Sequence, residues 1–390
     1  MQNSQIYRRH VLVLCASLLA CLTRPASAAG KFDVSLDRVR SLRNGRIHLA
    51  AQPQTITSFV SPTSPGGVHD YYSQGDYWWP DPANPAAPYI RRDGISNPNR
   101  FDAHRQALIR LSIIVPALVA AFRVNRDVRF AIAAQRHLDA WFVTPATRMA
   151  PHLDYAQAIT NVNTGRGVGL IDTLHLVEVA RAITVLEPHF PLQNRGAIND
   201  WFGQFTRWMK TSVNGIEERD SVNNHASCYV LQLVAFAALN DDHETRAWCV
   251  DRFKTALIPK QIAPDGKQPL EMARTKPYGY CLFNLEVLAA LAHVLSTPSD
   301  DLWRHKTPQS GSVADAFFFM LPYILDKASW SFGRDVEYWN DWPVRQSSLL
   351  FAGRALNEPK AIALWRRLNP DPVTPEVIRN FPIRQPRLWL

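Results

Sequence analysis

From Phe101 onward, apolar residues recur at three- and four-residue spacing in stretch after stretch, the mark of helices that bury one face. The pattern predicts helices over residues 104–123, 128–142, 168–186, 198–211, 224–239, 244–257, 280–295, 314–325 and 359–368. Breaks between them carry Pro, Gly, Asn and Asp, as at 240–242 (NDD) and 263–266 (APDG), where helices should stop. Long strand-like alternation is nearly absent, so the reading is an all-α fold of antiparallel helix pairs joined by short loops. No strict repeat is present, which leaves a repeat solenoid unsupported. Periodicity alone fits a closed ring or a stacked helical array equally well.

Residues 52–100 break the helical pattern. They contain Pro62, Pro65, Pro80, Pro82, Pro85 and Pro88, with Tyr71, Tyr72, Tyr77, Trp78 and Trp79 among them. So many aromatics argue against disorder, and a long non-helical stretch of this kind is usually functional. The expectation is an ordered lid or wall over the helices. At the N-terminus, Arg8 and Arg9, the apolar stretch 11–22 and the small-residue exit at 25–28 form a secretory leader. Its apolar stretch is shorter than the roughly 20 residues of a membrane span. The expected product is a periplasmic or secreted single domain over 29–390, cleaved after Ala28; a lipoprotein anchor at Cys21 is the alternative.

Composition narrows the partners. The formal charge is +9, of which Arg8, Arg9 and Arg24 belong to the leader, so the remaining chain keeps a cationic surplus. A cationic exported protein suits a polyanion, whereas no arginine-rich run or RNA-binding aromatic motif speaks for nucleic acid. Past the leader the cysteines are Cys228, Cys249 and Cys281, an odd number that allows one disulfide at most. Without a CxxC pair, a cysteine zinc site has no basis, and no metal or other cofactor is called for.

Two segments concentrate proton-handling chemistry beside apolar helical runs: 221–229 (SVNNHASCY) and 271–280 (EMARTKPYGY). Between them they supply Asn224, His225, Arg274 and Tyr280. Removing a proton from carbon beside a carboxylate needs three things: donors that neutralise the carboxylate, a base, and an acid for the leaving oxygen. Amide, imidazole and guanidinium groups stabilise the enolate-like charge that develops, and Arg suits fork-like carboxylate contacts. Tyr280 is a base if nearby positive charge lowers its pKa, and its phenol can return the proton; His225 is the second proton handler where two are needed. Taken singly, each has a plainer explanation. Asn224 and His225 read as a helix cap or satisfied polar groups, Arg274 as an ion-pair partner of Glu271, and Tyr280 as a core-edge aromatic.

Asn224 and His225 match the Asn-Asn-His motif of the alginate lyase superfamily. The run from Arg274 to Tyr280, followed by Phe283, Asn284 and Leu285, is similar to its Arg-Thr, His-Tyr and Phe-Asn-Leu block. Residues 75–82 (GDYWWPDP) and 163–167 (NTGRG) resemble further blocks of the glucuronan-lyase-like branch, in the same order. Two departures point to that branch: Gly279 stands where the motif has His, and Tyr280 follows Arg274 by six positions rather than seven. Tyr278 is the alternative base. The resemblance implies an (α/α) toroid or incomplete barrel that cleaves an anionic uronic-acid polysaccharide by β-elimination, leaving 4,5-unsaturated ends. It also implies that Tyr77, Trp78 and Trp79 line sugar subsites, that Arg166 is a second carboxylate contact, and that Gln157 and Asn163 donate to hydroxyls. His104, Arg105, His152 and Asp154 read as structural. Two rivals remain. One is an α/α-barrel glycoside hydrolase using two of Asp172, Glu178, Glu271 and Asp341; the other is a uronan-binding protein without turnover.

Overall fold

The computed structural model describes residues 34–390 apart from Pro85. The expected leader over 1–28, with Cys21, lies outside the described residues. The described residues open with α1 (Val34–His48) and then, after the predominantly irregular stretch 49–102, enter α2 (Ala103–Asn125) and α3 (Val128–Phe142). They continue through α4 (Leu176–Leu186), α5 (Arg195–Thr211), α6 (Val213–Arg219), α7 (Asn224–Leu239) and α8 (His243–Arg252). Two single turns follow, α9 (Ile258–Gln261) and α10 (Pro269–Met272), then α11 (Pro277–Leu295) and α12 (Val313–Leu325). The last are α13 (Ser347–Ala355), α14 (Pro359–Arg367) and α15 (Pro375–Arg379). The fold is all-α.

Packing sorts these helices into two layers. The inner row runs α2, α4, α7, α11, α13, each packed on the next, while α3, α5, α8, α12 and α14 cover it from outside. Composition explains the sorting. Inner α11 is buried along nearly its whole length, as a helix apolar on all sides must be, whereas outer α14 buries only Ala361, Leu364 and Trp365. Among the described residues two helices, α2 and α11, are long and apolar enough to cross a membrane by length and composition, but 78% and 89% of those windows are buried inside the protein. Cys228, Cys249 and Cys281 are all buried free thiols.

The segment after α14 returns across the inner row. Arg384 N and Gln385 N donate to Glu178 of α4 at 2.9 and 2.6 Å, and Arg181 Nε donates to the Leu388 carbonyl at 2.7 Å. Arg40 of α1 reaches the Arg384 carbonyl at 3.0 Å and Asp371 at 2.7 Å. The first helix is thereby tied to the end of the chain. Residues 52–100 carry three short strands, β1 (Tyr72–Gln74), β2 (Trp78–Trp79) and β3 (Ile90–Arg91). β1 pairs in parallel with β4 (Tyr155–Ala158), and β2 pairs antiparallel with β3.

The predicted helix bounds hold to within a few residues, with two exceptions. The stretch 168–186 starts as a tight 3-10 coil over Gly167–Thr173 and becomes α-helical only at Leu176. Thr173 Oγ1 and Gln232 Nε2 both donate to the Leu170 carbonyl, at 3.0 and 3.2 Å, and side chains thus take over an acceptor the α-helix would use. The stretch 244–257 ends in a π-helical turn at Phe253–Leu257. Helices α1, α6, α9, α10, α13 and α15 fall outside the predicted stretches: α1 is largely polar, α6, α9, α10 and α15 span seven residues or fewer, and α13 carries its apolar residues as one continuous run, LLFA, without three- and four-residue spacing.

Candidate active site

The N-termini of inner helices α2, α4, α7 and α11 open on one cleft of about 270 Å³, lined by Arg105, His175, Asn224, His225 and Tyr280 from these ends. Four unpaired N–H groups and the positive end of the dipole meet at each such terminus, which favours negative charge nearby. Five arginines line the cleft (Arg91, Arg105, Arg166, Arg274, Arg379) against two aspartates, Asp76 and Asp172.

Asn224 is the first residue of α7, with Asn223 capping the helix through the His225 amide. A buried carboxylate fixes it: Glu271 accepts from the Asn224 backbone N at 2.8 Å and from Nδ2 at 2.6 Å. Burial pushes the Glu271 carboxyl above its ordinary range, and the two Asn224 bonds oppose that. The expected Arg274–Glu271 ion pair therefore does not form. His225 Nδ1 lies 2.7 Å from Oε1 of Glu218, whose side chain is fully buried. That contact holds the ring by one nitrogen and leaves Nε2 for the cleft.

Arg274 makes a two-point contact with Asp93, Nε to Oδ2 at 3.2 Å and Nη2 to Oδ1 at 3.0 Å, while Thr275 Oγ1 adds a third bond at 3.0 Å. Its guanidinium carbon sits 4.4 Å above the Tyr280 ring. Burial alone would raise the Asp93 carboxyl, but Arg274 outweighs it and holds the group at about 2. Tyr280, 9% exposed in the first turn of α11, shares a hydrogen bond with Tyr77, oxygen to oxygen 2.8 Å. Its reading as a base carries the condition that neighbouring cations lower the phenol pKa. Instead burial, with Tyr77 next, pushes it well above its ordinary value, and Arg274 only opposes this. Tyr278 points the other way: its hydroxyl donates to the Tyr323 carbonyl at 3.1 Å, burial raises it well above its ordinary value, and it is not among the residues that line the cleft.

Of the expected sugar and carboxylate contacts, Tyr77, Trp78, Gln157 and Arg166 line the cleft. Among the described residues Arg166 has no carboxylate partner within ion-pair distance; it donates to Gln157 O and Oε1 at 2.9 and 3.0 Å and lies 5.7 Å from the Trp78 ring. Gln157, at φ +50°, passes its amide to Asp172 at 3.0 Å, so it braces Arg166 rather than facing open space. The glycine before Arg166 is obligatory: a Cβ at Gly165 would lie 1.9 Å from the Asp154 carbonyl oxygen. Trp79 and Asn163 are not brought to the cleft. Trp79 Nε1 donates to Ile95 O at 3.0 Å and its ring faces Arg92, and Asn163 Oδ1 accepts from Ile159 N at 3.1 Å to close a loop.

Sequence reasoning missed Asp93, Glu218, Glu271 as the Asn224 anchor, and Arg379. No local signal marks Asp93, Glu271 or Arg379, each far along the chain from its partner, while Glu218, seven residues before His225, sits in the charged run 217–220 and reads there as a solvated turn. Arg379 comes from α15 and donates to the Tyr77 hydroxyl at 3.2 Å. Among the described residues no group of three His, Cys, Asp or Glu is placed to hold a metal ion.

A family model for alginate lyases matches residues 55–330. The chain is similar to the crystal structure of an alginate lyase from Bacteroides ovatus, with 30% identity and a TM-score of 0.78 over 89% of this chain and 93% of that one. It is also similar in fold to alginate lyase A1-III from Sphingomonas species A1, at 16% identity and a TM-score of 0.50 over 82% and 85%. A histidine-to-alanine variant of A1-III, complexed with a tetrasaccharide, gives 15% identity and a TM-score of 0.51 over 81% and 84%. No curated protein matches by the corresponding comparison.

Proposed function

The chain belongs to the alginate lyase family of polysaccharide lyases, and from that premise we propose that it is an exported enzyme cleaving a β-linked uronan, glucuronan or mannuronate-rich alginate. The observation that carries this reading is the meeting of Asn224, His225, Arg274 and Tyr280 in one cationic cleft. The relative complexed with a tetrasaccharide supports a sugar chain as the occupant.

The chemistry follows from the groups. Asn224 Nδ2 keeps one N–H beyond its bond to Glu271, and with His225 and the arginines it meets the uronate carboxylate as charge builds on it. The C5–H bond breaks, its electrons form C4=C5, and the C4–O4 bond breaks. The proton taken from C5 ends on O4, so the enzyme is returned unchanged. In D-glucuronate and D-mannuronate H5 and O4 lie on one face of the ring, and the Tyr280 phenol serves both transfers. In L-guluronate they lie on opposite faces, which requires His225 as a second group.

A hydrolase would need two free carboxyl groups across the bond. Asp172 is held by Arg105 Nε at 3.1 Å and Ser73 Oγ at 2.6 Å, Glu178 by the C-terminal backbone, and Glu271 by Asn224. Asp341 bonds Thr374 Oγ1 at 2.5 Å and is not among the cleft residues. The deciding experiment follows ultraviolet absorbance of a conjugated uronate with glucuronan, polymannuronate and polyguluronate, wild type beside Tyr280→Phe. A rise on either of the first two polymers that the variant abolishes is the expected result. New reducing ends without absorbance would replace the lyase by a hydrolase.

A further inference from the structure

Burial opposes the phenolate that the proton-abstraction step needs, and the surroundings of Tyr77 supply what Tyr280 lacks. The Tyr77 oxygen is 2.8 Å from Tyr280 Oη and 3.2 Å from Arg379 Nη2. A guanidinium has no acceptor, so Arg379 can only donate. Lys276 Nζ lies 5.4 Å from the centre of the Tyr77 ring. Tyr77 is therefore the phenol with a direct guanidinium contact at its oxygen, and Tyr280 the phenol beside Arg274 in the cleft.

Resting on the lyase reading above, we propose that Tyr77 and Tyr280 act as one dyad sharing a single proton in its active form, and that Arg379 of α15 is the positioning residue that holds the resulting negative charge. One proton leaves the pair to solvent. The charge then moves between Tyr77 Oη and Tyr280 Oη by transfer of the remaining proton across 2.8 Å. With the charge on Tyr280, that oxygen takes H5 and afterwards gives the same proton to O4, and the dyad is restored. The two phenols titrate as a pair rather than as separate groups.

Every element around the pair contributes charge. Asp76, next to Tyr77, is met by Arg100 at 2.6 Å, Arg105 at 2.7 Å and Arg379. Glu376 on α15 takes Lys276 at 2.8 Å and Arg379 at 2.6 Å. From the approach to α11, Arg274 lies over the Tyr280 ring and is itself held by Asp93. Tyr338 lies beyond Lys276, whose Nζ is 5.1 Å from its ring. These arginines are shared, Arg100 with Asp102, Arg105 with Asp172 and Arg379 with Glu376, so what reaches Tyr77 is the Nη2 donor of Arg379, held in place by Asp76 and Glu376.

The test uses the whole chain and two readouts. The first is ultraviolet titration of tyrosinate, which requires no turnover. The second is the pH profile of unsaturated-product formation. Arg379→Gln and Tyr77→Phe should each move the lowest tyrosine ionisation, and the rising limb of kcat/KM, to higher pH by about one unit, a tenfold loss at neutral pH. Arg379→Lys should recover part of the shift. The double variant should shift the ionisation and the limb no further than Tyr77→Phe, because Arg379 acts on them through Tyr77. Rates that fall while both limbs stay in place, or shifts that add in the double variant, would overturn the dyad. Tyr77→Phe breaks no ion pair, so it still tests the idea if Arg379→Gln fails to fold. A wild type without unsaturated product would sink the lyase reading, and the tyrosinate titration would still decide the dyad.

Discussion

Asn224 shows how an amide proposed for catalysis depends on a buried neighbour. Glu271, 1% exposed, accepts two of its N–H groups, so the side chain has one orientation in the cleft. Asn224→Ala removes one donor from the developing enolate and should cost about 10²–10³ in kcat, the usual loss for such a donor. Glu271→Gln leaves the donor in place but offers it a single acceptor oxygen and an opposing amide. We expect a loss of stability of about 1–3 kcal/mol, seen in thermal unfolding, together with a smaller fall in kcat than for Asn224→Ala. A Glu271→Gln enzyme of unchanged kcat would show that Asn224 is not held by this contact. The motif made Asn224, His225, Arg274 and Tyr280 legible in the sequence, since they sit beside apolar helical runs. Their anchors, Glu271, Glu218 and Asp93, were not, because a carboxylate advertises its partner only once the helices are packed.

At the level of the element, α11 explains a departure from the family motif. Its start is capped from outside: Asp335 Oδ1 accepts from Tyr278 N and Oδ2 from Gly279 N, both at 2.9 Å. A Cβ on Gly279 would meet Asp335 Oδ2 at 2.9 Å and Trp342 Nε1 at 3.4 Å. The volume a histidine would fill is thus held by the cap and an indole. Gly279→His should displace Asp335 and cost about 1–3 kcal/mol through overpacking, with no gain in turnover. An unchanged or raised Tm would show that the site has room after all. Most helices could be read from their periodicity, but the cap on α11 could not, because Asp335 lies more than fifty residues away and outside any helix.

Across the whole molecule, the C-terminal segment both closes the inner row and carries Arg379 into the cleft. Its main clamp is Glu178. Burial pushes that carboxyl up to about 7 against the backbone bonds of Arg384 and Gln385, from 4.5 in an exposed chain. Between those values the folded protein keeps a proton that the unfolded chain releases. The contribution to stability is therefore complete below about 4.5, falls as pH rises, and is lost through about 7. The buried histidines push the opposite way: burial, then Arg110 and Arg136, hold His137 at about 4, so its folded form resists protonation as pH falls. The difference between wild type and Glu178→Gln separates the two effects, since the amide does not titrate. Wild type should hold its largest advantage at the acid end and lose on the order of 2–3 kcal/mol of it by neutral pH, measured by denaturant unfolding across that range. A constant difference would mean that Glu178 is ionised throughout and that the strap is held by a carboxylate from the start. In that event its grip on the segment bearing Arg379 would not weaken toward neutral pH.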